Sequence, residues 1–257
     1  KVIGPLTEPQ DFGGNAADAY HLVIPSLAGF GFSGKPTTTG WGIPKIAQAW
    51  AELMARLGYE RYLAQGGDWG AIVTSAIGAI DSDHCQGIHL NMVVVAPDAK
   101  ADDLTDLEKS ALEGLKHYQD WDSGYSKQQS TRPQTLGYGL VDSPVGQAAW
   151  ILEKFWAWTD CNGHPENVLS KDELLDNVMV YWLNQAGASS ARIYWESFGS
   201  AAAGVQISVP MGATIFPKEI FRTSRRFAEK MYTNIIHWNV KDTGGHFAAF
   251  EQPEVYV

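Results

Sequence analysis

The run Gly66-Gly67-Asp68-Trp69-Gly70 holds the side chain around which a reaction could be built. It fits the pattern small-x-nucleophile-x-small between two apolar segments, where glycines permit a sharp turn from strand to helix that lifts the central side chain clear of the backbone. A carboxylate at that point, with a reference pKa of about 4, is ionised near neutral pH and attacks an electrophilic carbon without help from a base. No GxSxG occurs, which argues against the serine version of this turn. Taken locally, the same five residues read equally well as a helix N-cap, because Asp is favoured there.

Chain order favours the nucleophile. Open α/β sheets with a nucleophile turn carry nucleophile, acid and histidine in that sequence, the last two after late strands. Glu219 follows the apolar stretch ending in Phe216-Pro217, and His246 lies in Thr243-Gly244-Gly245-His246-Phe247 after another. The competing readings are a first-turn glutamate favoured by a helix dipole and a solvated loop histidine.

Two further motifs fail on context. Gly29-Phe30-Gly31-Phe32-Ser33-Gly34 matches GxGxxG, and Lys35 nearly extends it to a phosphate loop. Pro36 stands where a magnesium-binding Ser or Thr is needed, and Thr37-Thr38-Thr39-Gly40 continues as loop instead of opening a helix. These glycines read as a wide turn beside an active site. His84, Cys85 and His89 cluster in sequence, but a partly buried strand edge accounts for them better than a metal. Neither metal nor cofactor is expected.

The elements that must position Asp68, Glu219 and His246 follow from hydrophobic period. His21-Leu22-Val23-Ile24-Pro25 reads as a buried strand, Pro44 to Leu57 as an amphipathic helix stopped by Gly58, and Arg61 to Gln65 as a strand. Ala71 to Ile80 reads as a buried helix and Ile88 to Val95 as a strand, so a parallel sheet covered on both faces is expected. From 97 to 204 only helical spacing occurs, at Leu104 to Tyr118, Pro144 to Trp158, Lys171 to Asn184 and Ser190 to Phe198. Strands return at Val205 to Val209, Ala213 to Phe216 and Thr233 to Val240, with a helix at Thr223 to Tyr232. The domain reading is a core at 1–96 and 205–257 with a helical cap at 97–204.

Bulk properties narrow the partners. With 257 residues, 45% hydrophobic and 19% charged, the chain suits one globular domain. A net charge of −10 and no basic stripe give phosphate backbones nothing to bind, so no nucleic-acid partner is expected. Two cysteines, far apart, suggest a reducing compartment, and no apolar run is long enough to span a bilayer, so a soluble cytoplasmic protein is expected. Lys1 at the start, and a helix beginning at Glu251-Gln252-Pro253-Glu254, suggest trimmed N-terminal strands and a trimmed C-terminal helix.

Several blocks in order carry a family resemblance: Gln65-Gly66-Gly67-Asp68-Trp69-Gly70, Asp142-Ser143-Pro144-Val145-Gly146, Ile151-Leu152-Glu153-Lys154-Phe155, Phe216-Pro217-Lys218-Glu219 and Gly244-Gly245-His246-Phe247-Ala248-Ala249-Phe250. Over nearly its whole length the chain resembles the epoxide hydrolases of α/β-hydrolase fold, in the microsomal-type branch with its fungal and bacterial relatives. The resemblance implies Asp68 as nucleophile, His246 as base and Glu219 as the acid orienting it. It also implies two cap tyrosines as proton donors, falling on Tyr125 and Tyr194, which the sequence alone cannot tell from core aromatics. The Trp69 N–H would serve the oxyanion, with Trp69, Ile220 and Phe247 lining the substrate pocket. The family's second oxyanion donor comes from a His-Gly-x-Pro turn upstream of the region matching Lys1, and no such motif occurs here; Ala28 also replaces a usual proline.

The implied reaction takes an apolar epoxide and water to a vicinal diol through an ester on Asp68, and family analogy extends to a homodimer. A haloalkane dehalogenase shares the Asp nucleophile and the following Trp, but a halide needs N–H donors rather than a proton. A non-catalytic binding protein on the same scaffold is the alternative from another class.

Overall fold

The computed structural model describes residues 1–197 and 205–257. Four strands, β1 (Tyr62–Gly66), β2 (Cys85–Leu90), β3 (Met211–Ile215) and β4 (Ile235–Val240), pair in parallel in the order β1-β2-β3-β4. Every residue of β3 is buried, which explains why Met211-Gly212-Ala213-Thr214-Ile215 shows no polar alternation. An inner strand covered on both faces has no solvent side. Edge strand β1 does alternate, exposing Leu63.

A short helix, α1 (Ile3–Thr7), precedes α2 (Ile43–Arg56), which starts with Pro44 in its first turn and buries Ile43, Ile46 and Ala47. Helix α3 (Trp69–Ile80) connects β1 to β2 and packs on α2, burying Ala71, Val73, Thr74, Ile77 and Gly78. Each large aliphatic side chain placed this way contributes about 1.5–3 kcal/mol.

Between β2 and β3 the described residues form six helices: α4 (Asp106–His117), α5 (Gly124–Thr131), α6 (Pro133–Asp142), α7 (Pro144–Trp158), α8 (Lys171–Leu183) and α9 (Gly187–Ser197). A π-helical turn at Tyr118–Asp122 follows α4. Helix α5 lacks an apolar period, so its spacing gave no signal; packing against α9 holds it. Residues 198–204, where the expected cap ends and where Phe198 closes its last helix, lie outside the described ones.

Four expected elements differ. The strand expected over Ile88 to Val95 is β2 at Cys85–Leu90, so Asn91 to Val95 lie beyond its end. His21 to Pro25 is not a buried strand: Ile24 is exposed and the segment joins no ladder, since extended chain becomes strand only by bonding to a neighbour. In Val205 to Val209 only Ile207 makes a bridge, to Tyr232. The helix expected over Thr223 to Tyr232 shortens to α10 (Arg225–Ala228) for a related reason. Ile207 takes the Met231 carbonyl and accepts from the Thr233 N–H, which draws the chain out of the helical ladder. Two more short helices, α11 (Ala248–Glu251) and α12 (Pro253–Tyr256), complete the described chain.

Candidate active site

Loops leaving the C-terminal ends of β1, β3 and β4 share one edge of the sheet, where parallel α/β sheets place ligands. At the first of them Asp68 has φ +50° and ψ −133°, a conformation rare outside glycine. Gly66 makes the turn possible, because a Cβ there would lie 2.1 Å from the Gly70 carbonyl oxygen. Asp68 does cap α3, but unusually. Its Oδ1 accepts the N–H of Trp69, the first helical residue, where an ordinary cap bonds the second or third. Its Oδ2 is left to face His246. One oxygen of the carboxylate thus caps the helix while the other meets the imidazole.

The loops that carry Glu219 and His246 are joined by a hydrogen bond from the Lys218 N–H to the Gly244 carbonyl, 3.1 Å. His246 Nδ1 lies 2.7 Å from Glu219 Oε1, and Nε2 lies 2.9 Å from Asp68 Oδ2. Both Glu219 and His246 are buried, and Glu219 Oε1 also accepts the Ile220 N–H at 2.7 Å. Burial alone would push the imidazole pKa down, but the flanking charges of Glu219 and Asp68 outweigh it and raise it. For Asp68 burial works upward, and the hydrogen bond and charge of His246 with the Trp69 N–H win, lowering it. Both shifts act in one direction, favouring the charged carboxylate on Asp68 and the proton on His246.

Above this pair stand the two tyrosines, on α5 and α9. The Tyr125 and Tyr194 rings meet edge to face at 5.6 Å, and Tyr194 meets Trp69 the same way at 5.0 Å. Burial, above all, raises both phenol pKa values far above normal, and the Asp68 charge adds to it. Both are therefore protonated donors at neutral pH. Helix α9 is seated on the core by Ser189 Oγ donating to the Gly29 carbonyl (2.7 Å), and by the N–H groups of Gly40 and Ile43 donating to Glu196 (3.0 Å) and Ser197 Oγ (3.2 Å). The glycine-rich turn that mimics a nucleotide motif is part of the seat for the Tyr194 helix.

A family model described as the alpha/beta hydrolase fold matches residues 11–136. A Stigmatella aurantiaca protein that carries the epoxide hydrolase name provisionally is 53% identical over 258 residues, covering 100% of this chain and 59% of its own length. Epoxide hydrolase 1 of Oryctolagus cuniculus is 34% identical over 284 residues, covering 99% of this chain and 62% of its own. The chain has the α/β-hydrolase fold and is similar over its whole length to epoxide hydrolases. The structure of Aspergillus niger epoxide hydrolase matches it with a TM-score of 0.87 at 30% identity, over 99% of this chain and 66% of that one. The chain spans about three-fifths of the length of the curated relatives it matches.

Spacing missed several neighbours of the site. Tyr118 donates from its hydroxyl to that of Tyr125 at 3.4 Å. Tyr181, its ring edge-on to Phe30 at 6.2 Å, is raised to about 12 by burial and by the Asp68 charge. Trp158 lies edge-on to both Tyr125 (5.3 Å) and His246 (5.2 Å). Only family alignment could have singled these out, because each looks like a core aromatic on its own helix. Of the proposed pocket residues, Trp69 borders Tyr194, Ile220 is half-buried against the core, and Phe247 stacks on Phe155 at 4.4 Å while edging His246 at 5.0 Å. His84 pairs with Asp81 at 2.6 Å and His89 with Thr214 at 3.0 Å, so the histidines of that cluster have separate partners. Among the described residues no helix is long and apolar enough to cross a membrane.

Proposed function

We propose that this chain is the catalytic part of an enzyme that hydrolyses an apolar epoxide to a vicinal diol through an ester on Asp68. The observation that carries the reading is the division of the Asp68 carboxylate, Oδ1 on a backbone N–H and Oδ2 on His246, beneath two protonated phenols.

In the first step Oδ2 attacks an epoxide carbon, the carbon–oxygen bond breaks, and its electron pair goes to the departing oxygen. Tyr125 and Tyr194 hydrogen-bond that oxygen and supply its proton. Esterification removes the Asp68 charge, one of the two anions that raise the His246 pKa, so the imidazole becomes easier to deprotonate. The proton it sheds balances the one the phenol gave up. Neutral His246, oriented by Glu219, then takes a proton from water, and the resulting hydroxide attacks the ester carbonyl carbon. Charge developing on Oδ1 meets the Trp69 N–H, collapse releases the diol as His246 returns its proton to the leaving oxygen, and the proton left on the Asp68 carboxyl passes to His246 to restore the starting pair. Protonated phenols suit an alkoxide better than a halide, which favours this reaction over dehalogenation. We take 97–204 as the cap that brings the phenols over a core formed by 1–96 and 205–257. Cys85 and Cys161, both buried and free, suit a reducing cytoplasm, and family analogy extends to a homodimer, which sizing of the full-length protein tests.

A single turnover of an aryl epoxide in ¹⁸O-labelled water, followed by peptide mass analysis, tests the ester. Label should enter Asp68; label confined to the diol overturns the reading, as does turnover surviving Asp68→Ala. His246→Gln should leave the ester trapped on Asp68.

A further inference from the structure

Three successive backbone N–H groups of the base loop are held by the segment that follows α7 and by one carboxylate. The Gly244 N–H donates to Asp160 Oδ2 at 3.1 Å, the Gly245 N–H to Glu251 Oε1 at 2.9 Å, and the His246 N–H to the Trp158 carbonyl at 2.9 Å. Glu251 closes the set, because its other oxygen, Oε2, accepts the Asp160 N–H at 2.8 Å. The approach is close enough that a Cβ on Gly245 would lie 2.3 Å from the Trp158 carbonyl oxygen. The same end of α7 reaches the other half of the site: the Trp158 ring touches Tyr125 and His246, and Lys154 Nζ sits 4.7 Å above the Tyr125 ring.

We propose that Glu251 is a positioning residue that holds His246 against Asp68 for hydrolysis of the ester, by binding the base loop to the C-terminal end of α7. This rests on the ester reading above. Glu251 is buried on α11, and its carboxylate has no role in the steps already described. The geometry requires a carboxylate: two oxygens accept two N–H bonds from two different segments, whereas a glutamine would set its own N–H₂ against one of those donors. The effect belongs to the second step. Ester formation needs Asp68 and the phenols, none of which Glu251 bonds, while hydrolysis needs His246 Nε2 within reach of a water at the Asp68 carbon. A displacement of about 1 Å in such a group costs up to about 10²-fold in rate.

Rapid-quench single turnover of the full-length protein with an aryl epoxide resolves the two steps. In Glu251→Gln, ester formation should stay within about twofold of the parent while ester decay slows about 10-fold or more, so that the ester accumulates and kcat and KM fall together. Asp160→Ala, which removes only the acceptor of the Gly244 N–H, should slow decay in the same selective way. Ester decay at the parental rate in folded Glu251→Gln overturns the proposal, and so does an equal slowing of both steps, which is what a merely structural role produces. If Glu251→Gln does not fold, Glu251→Asp, whose shorter side chain cannot hold both N–H groups in place, takes its part, and ester decay at the parental rate in it overturns the proposal. A parent enzyme that forms no ester overturns the reaction reading and this inference together, whereas a parent ester with normal decay in the variants overturns only the inference.

Discussion

Asp68, His246 and Glu219 form one electrostatic unit, so changing one charge must show at another. Because two carboxylates raise the imidazolium pKa, the stability it contributes is fully present below the unfolded histidine pKa of about 6.5 and is lost as pH rises through the raised value. Asp68→Asn removes one anion. The His246 titration, followed by NMR of its imidazole protons, should move to lower pH; an unchanged midpoint contradicts the pairing. In the proposed reaction the phenols act at a different step. Tyr125→Phe and Tyr194→Phe should each slow ester formation by about 10- to 10²-fold, less than loss of a lone acid because the partner remains, and leave ester decay unchanged in rapid-quench traces.

At the scale of elements, the turn from β1 into α3 fixes where Asp68 points. Gly66→Ala places a methyl 2.1 Å from the Gly70 carbonyl, which moves only if the elbow opens, so a loss of about 3 kcal/mol or more is expected in urea denaturation. A parental midpoint contradicts that packing. This turn was legible in sequence because its glycines, its apolar flanks and its central aspartate are contiguous. Helix α5, which carries Tyr125, was not. Gly124-Tyr125-Ser126-Lys127-Gln128-Gln129-Ser130-Thr131 has no apolar face to detect, and its helicity depends on packing against α9, some sixty residues on.

The whole molecule holds its helical insertion to the sheet partly through charge. Glu108 on α4, fully buried, accepts hydrogen bonds from Arg226 on α10 at 2.6 Å and from Ser224 Oγ at 2.5 Å. The Arg226 guanidinium holds the Glu108 carboxyl well below its usual range of about 4.5. A depressed carboxylate contributes stability above its unfolded pKa and loses it as pH falls through the folded one. Glu108→Gln should therefore lower Tm most at neutral pH, and the gap from the parent should narrow in scans below about pH 4.5. An equal offset at pH 7 and pH 3 contradicts the ion pair.

The sequence by itself determined the α/β-hydrolase fold, the insertion between strands, and the order in which Asp68, Glu219 and His246 occur, because each is written in contiguous residues: a hydrophobic period, a glycine turn, a block shared with the epoxide hydrolases. Only the tertiary structure decided which groups touch. His246 bonds Glu219 across 27 residues and Asp68 across 178, and the Gly245 N–H of its loop bonds Glu251 while the His246 N–H reaches back to Trp158. Hydrogen bonds depend on distances of about 3 Å, and the packing of helices on a sheet sets those distances, not spacing along the chain. For the same reason His21 to Pro25, apolar enough to read as a strand, is none here, since no neighbouring strand bonds to it.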